Sequence, residues 1–199
     1  MLGPIRWRIS GNVTPRIRRK LCAMRPAHLL PRTPPRTPPR LIQARQAAQQ
    51  SGTKIAISFS DPGIIAHFGD GVKAIMGDKV DLVFCNKDEA LSFANADTIS
   101  DAIEAIKQVA NEFVITLGAK GALIYDGDEL IAIDGVEVEA VDTNGAGDMF
   151  AGAYLYGITH AMTHEDAGEF ASLAAAKVVS QYGPRLSAED YRALVKEFS

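Results

Sequence analysis

From position 41 onward, apolar residues recur in short runs separated by stretches with helical spacing. Residues 41–51 are rich in strong helix formers and read as a helix that Gly52 stops. Residues 54–59 (Lys-Ile-Ala-Ile-Ser-Phe) follow as a strand, closed by Asp61, Pro62 and Gly63. A short amphipathic helix over 64–76 and a strand over 81–85 come next. Two helical stretches, 87–95 and 100–111, then lead to a third strand over 113–117. Short apolar strands alternating with helices are the pattern of βαβ units built on a parallel sheet.

Two further strands, 122–125 and 130–133, flank Asp126 and Gly127 and predict a hairpin. Val136, Val138 and Ala140 alternate with Glu137 and Glu139, which predicts one more strand with a wet face. The remainder reads as three helices over 147–160, 165–181 and 188–198. The fold class is therefore α/β, a parallel-type central sheet flanked by helices.

Composition divides the chain in two. Its 47% hydrophobic and 23% charged residues are ordinary for a globular domain, and the formal net charge is −3. That charge averages two unlike segments. Residues 1–40 hold ten Arg or Lys, no Asp or Glu, and eight of the ten prolines. Residues 41–199 keep the other 11 basic residues against all 24 acidic ones, a net of −13. Proline at this density removes amide donors and fixes φ, so 1–40 is expected to be a disordered basic segment without strands. Three readings of it stay open: an organelle targeting segment, a basic arm for nucleic acid or a membrane surface, and a start of foreign origin. The acidic body opposes nucleic-acid binding. No apolar run approaches the roughly 18 residues of a membrane span, so no membrane partner is expected. Of the two cysteines, Cys85 sits in an apolar run and reads as a buried, reduced thiol. That fits a cytoplasmic location, with organelle targeting as the alternative.

The most informative stretch is Asp142-Thr143-Asn144-Gly145-Ala146-Gly147-Asp148, which follows the predicted strand and opens a long helix. The first amides of a helix have no intrahelical acceptor, and the helix dipole adds partial positive charge there. Gly145, Ala146 and Gly147 present those amides without bulk, which makes an anion hole. Asp148 lies at its mouth, where a carboxylate is able to accept a proton from an attacking hydroxyl. Ala151, Gly152, Ala153 and Gly157 keep one face of the helix thin. A P-loop would need a Lys, which is missing, and a dinucleotide fingerprint would need Gly where Phe150 stands. The competing reading is a glycine-rich turn in which Asp148 only caps the helix.

Residues 142–155 resemble the second signature of the PfkB (ribokinase) family of carbohydrate and nucleoside kinases, in a form similar to that of adenosine-type kinases. The resemblance covers about 41–199 and implies a ribokinase-like, three-layer α/β/α kinase domain. It implies an ATP-dependent transfer of the γ-phosphate to an alcohol of a nucleoside or sugar. Asp148 would be the general base, and the amides of Gly145, Ala146 and Gly147 would stabilise the transferring group. Asn86 and Glu89 match the family's N-x-x-E motif, which orders Mg²⁺ through water; alone, they read as a helix cap. Thr116, Gly118, Lys120 and Gly121 are similar to its nucleotide loop; alone, they read as a tight turn. Asp142 and Thr143, with Val178, Gly183 and Ser187, match positions beside a monovalent cation, K⁺. Ser172 falls near the adenine. Ser187 also reads as an N-cap, and His160 and His164 as exposed helix-end residues. The family's first signature, its β lid and the residues that grip the acceptor are not recognisable. A sheet without those first strands exposes an edge, which favours a homodimer. It also keeps a second reading open, an inactive nucleotide-binding module.

Overall fold

A computed structural model describes residues 21–24 and 39–198. Its elements in chain order are β1 (Leu21–Met24), α1 (Pro39–Gln50), β2 (Lys54–Ser58), α2 (Pro62–Met76), β3 (Val80–Asn86), α3 (Lys87–Ala94) and α4 (Ile99–Lys107). After these come β4 (Ala110–Thr116), β5 (Ala122–Tyr125), β6 (Leu130–Ile133), α5 (Ala146–Thr159), α6 (His164–Val179) and α7 (Ala188–Phe198). The strands lie side by side in sequence order, β1 to β6. The first four are parallel, and β5 and β6 close the sheet as an antiparallel hairpin.

Local chemistry sets the boundaries. Asp61 is extended, and its Oδ1 accepts from the amides of Gly63 (2.7 Å) and Ile64 (3.1 Å), so α2 starts where Pro62 supplies a preset φ. Thr98 caps α4 in the same way through the Asp101 amide. Strand order and side-chain alternation then build three layers. Ile55, Ile57, Val83, Cys85, Phe113 and Ile115 point to one face, where buried residues of α1 to α4 cover them. Ala56, Leu82, Phe84 and Val114 point to the other, under α5, α6 and α7. Successive right-handed crossovers in one direction put α1 to α4 on a single side. In the central strand β4, Phe113, Val114 and Ile115 are fully buried, each contributing about 1.5–3 kcal/mol of apolar transfer. The expected three-layer α/β/α arrangement is the observed one, with a buried, free Cys85 in its core.

Three expectations need correction. The segment 1–40 is not free of strand: Leu21–Met24 pairs in parallel with β2, from Leu21 opposite Lys54 to Met24 opposite Ile57. These four residues contain no proline, so their amides remain available to a ladder. The rest of that segment up to residue 38 lies outside the described residues. A helix over 100–111 ends instead at Lys107, because the ladder with β3 takes the chain from Ala110, opposite Val80. The alternating stretch around Val136 and Val138 forms no strand, and both valines are exposed. There the chain leaves the sheet. The Asp134 carbonyl accepts from the Ser172 hydroxyl (3.0 Å), and Gly135 packs directly on the Ala119 carbonyl. Alternation alone makes no strand without a neighbour to pair with.

Candidate active site

The loop that leads into α5 is fastened before the helix begins. The amides of Val141 and Asp142 both donate to the Val179 carbonyl at the end of α6, at 2.8 and 3.1 Å. The Asp142 carboxylate then accepts from two backbone amides, Asn144 (3.0 Å) and Gly183 (3.1 Å). Those amides, Asn144 first, hold its carboxyl below the usual Asp value. Gly145 is the N-cap, with φ +82°, a left-handed conformation that favours glycine. A β-carbon there would also stand 2.5 Å from the Pro184 carbonyl oxygen and 2.6 Å from the Pro184 β-carbon. No side chain caps this helix end. A β-carbon on Gly147 would meet open space, and Asp148, in the first turn, has an exposed side chain. The Ala146 amide donates to the Thr143 carbonyl (3.3 Å), while Gly147 is exposed in the first turn with a carboxylate beside it.

Where this turn points follows from the other end of the helix. The buried Tyr154 hydroxyl and His164 Nδ1 share a hydrogen bond of 2.6 Å, so His164 is not simply an exposed helix-end residue. His164 in turn acts electrostatically on Glu112, near the start of β4, whose carboxyl is raised chiefly by burial. Tyr154 also meets Phe84, late in β3, edge to face at 5.8 Å. Hence α5 runs against the parallel strands, with its first turn toward their C-terminal ends, where open α/β sheets gather ligands.

Asn86 and Thr116 stand opposite each other at those strand ends. Asn86 and Glu89 form a reciprocal capping box. The Glu89 amide donates to Asn86 Oδ1 (2.8 Å), and Glu89 oxygens accept from the Asn86 amide (2.9 Å) and Nδ2 (3.0 Å). Glu89 is buried. Among the described residues, no three His, Cys, Asp or Glu side chains converge as a metal cage. Glu89 offers carboxylate oxygens, a donor type that suits Mg²⁺ and its water shell. After Thr116, residues Gly118–Lys120 make one 3₁₀ turn. Gly121, at φ +88°, lies so close to the Ile133 carbonyl that no side chain would fit. Lys120 is exposed.

The remaining predicted residues divide. Gly183 is brought to Asp142 by the bond already described, and Val178 is buried, its carbonyl accepting from the Gln181 amide (3.2 Å). Thr143 is exposed. Ser187 caps α7 through the Asp190 amide (3.0 Å), as its sequence context predicts. Ser172 is buried, and its hydroxyl is spent on Asp134. Of the small residues in α5, Ala153 and Gly157 are buried, with Gly157 pressed on Ala167 of α6. Gly152 is exposed with nothing near it, because successive residues turn about 100° around a helix. Sequence reasoning missed Pro184, whose only signal was the neighbouring Gly183.

Residues 34–190 match the pfkB family of carbohydrate kinases. The chain belongs to this family. Among curated PfkB-like relatives, it is 33% identical over 99 residues to a ribokinase from Lactococcus lactis, covering 47% of this chain and 32% of that protein. It is 33% identical over 145 residues to a 1-phosphofructokinase from Haloferax volcanii, covering 65% and 48% respectively. The crystal structure of adenosine kinase from Sinorhizobium meliloti superposes with a TM-score of 0.80 at 27% identity, over 89% of this chain and 54% of that one. The PfkB chain described here spans about half or less of the length of these proteins. Its relatives are named for three different acceptors, so membership establishes a general sugar or nucleoside kinase relationship and no single substrate. Among the described residues, no helix is long and apolar enough to cross a membrane.

Proposed function

We propose that this chain carries the phosphoryl-transfer half of an ATP-dependent kinase acting on an alcohol group of a nucleoside or sugar. The observation that carries the reading is the uncapped start of α5, with Asp148 at its first turn, in a chain of the PfkB family. The amides around Gly145, Ala146 and Gly147 would hold the transferring phosphoryl group. Asp148 would take the proton of the attacking hydroxyl, leaving its oxygen to form the new bond to phosphorus as ADP departs. Thr116, Gly118, Lys120 and Gly121 would line the nucleotide. Asn86 and Glu89 would order water around the Mg²⁺ that accompanies ATP and neutralises phosphate charge. Asp142, Thr143, Val178, Gly183 and Ser187 would hold a monovalent cation beside that loop. An adenosine-like nucleoside is the leading acceptor, on the wording of residues 142–148 alone. A cytoplasmic location and a homodimer complete the reading.

The second reading is a module that binds nucleotide without turnover. ADP release by the purified chain, with Mg²⁺, K⁺ and a panel of nucleosides and sugars, separates the two. The kinase reading expects turnover on at least one acceptor that Asp148→Asn abolishes while ATP binding persists. ATP binding without turnover on any acceptor would leave the module.

A further inference from the structure

The end of α6 and the loop that follows it touch the approach to α5 and its cap at three successive levels. Val179 accepts from Val141 and Asp142, Gly183 donates to Asp142, and Pro184 lies against the Gly145 α-carbon. The loop is also closed on itself, since Gln181 Nε2 donates to the Arg185 carbonyl (3.1 Å). Its base is anchored by Leu186, which packs into the core under α7. Gly183 is left-handed at φ +95°, and the proline that follows fixes the next φ.

We propose that Pro184 is a positioning residue: it braces Gly145 in its left-handed conformation and thereby aims the first amides of α5 at the transferring phosphate. The proposal rests on the kinase-type nucleotide reading above. The physical reason is that a glycine N-cap without a side-chain hydrogen bond has little local energy holding its orientation. Its backbone bonds are the Met149 amide to the Gly145 carbonyl (2.8 Å) and the Ala146 amide to the Thr143 carbonyl (3.3 Å), and the three nearest heavy atoms to a β-carbon position on Gly145 all belong to Pro184. A residue distant in sequence therefore sets the geometry of the anion hole, while taking no part in the chemistry. An error of about 1 Å at such a position is enough for large losses.

The test compares the full chain with Pro184→Gly and Pro184→Ala, measuring ATP·Mg²⁺ and ADP·Mg²⁺ affinities by calorimetry and Tm by scanning fluorimetry. A brace aimed at the terminal phosphate predicts that Pro184→Gly weakens ATP about 5–10-fold and leaves ADP within about 2-fold. Pro184→Ala keeps the atoms that touch Gly145 and frees only φ, so its ATP affinity should fall by about 2–4-fold. That milder variant keeps the test decisive if Pro184→Gly does not fold. An unchanged ATP-to-ADP ratio in the folded variants overturns the brace, as does a parallel loss of both ligands with Tm, the mark of a merely structural role. A wild-type chain that binds no ATP overturns the nucleotide reading itself, and the brace with it.

Discussion

Helices α3 and α5 both start at the end of the sheet where parallel strands finish, and they treat their first amides in opposite ways. In α3 the start is closed. Asn86 and Glu89 satisfy each other through three hydrogen bonds, and Glu89 is buried in the exchange. In α5 the start is more open: the cap is a glycine without a side-chain cap bond, the Ala146 amide donates to the Thr143 carbonyl, and Pro184 on another loop packs beside the glycine. A closed start is stable by itself and has few donors left for a ligand. An open start gives up local stability and keeps its amides for an anion. The two starts differ in what holds them: a side-chain exchange within α3, and contacts with another loop in α5.

The contrast is sharpened most by Asp148→Asn. With a full kinase turnover assay, loss of the proposed base should cost about 10²–10⁴ in kcat with little change in Tm. Equal losses from Asp148→Asn and from a substitution remote from the site would break the contrast. Next in size is Gly145→Ala. The new β-carbon meets Pro184 in a left-handed backbone, so chemical denaturation should show a loss of about 1–3 kcal/mol, together with weaker ATP binding. Unaltered stability would mean that Pro184 yields freely. At the closed start, Asn86→Ala should lower stability by about 0.5–2 kcal/mol, the usual cost of a lost cap. A denaturation midpoint that does not move would show that the box contributes nothing.

The smallest effect concerns pH. The backbone amides of Asn144 and Gly183 hold the Asp142 carboxyl below its ordinary value, so its folded pKa lies under the unfolded one. A depressed carboxylate contributes stability above the unfolded pKa of about 3.9 and loses it as pH falls through the lower folded value. The Tm gap between wild type and Asp142→Asn should therefore be constant near neutrality and close below about pH 4. A gap that widens on acidification would contradict the assigned sign.

Most element positions were legible because local periodicity and caps encode them. The hairpin 122–125 and 130–133 and the last helix agree with the structure to the residue. The identity of residues 142–148 also pointed to a candidate site, since glycines at a helix start and a following Asp are local features. The failures share a cause. Val136 and Val138 have the alternation of a strand, yet strand formation needs a neighbour that the pattern cannot supply. Leu21–Met24 was hidden for the converse reason, because four residues between prolines carry too little pattern, and the edge of β2 provides the pairing.

By itself, then, the sequence determined the α/β alternation, the closed cap of α3 and the chemical identity of the loop before α5. Each depends on residues within a few positions of one another. Only the tertiary structure decided that Asp142 reaches Gly183, 41 residues away, and that Pro184 occupies the space beside Gly145. These are contacts between loops, fixed by how α5 and α6 pack rather than by propensity. The glycine-rich stretch can be read from the sequence, but what packs beside its first glycine is a proline on another loop.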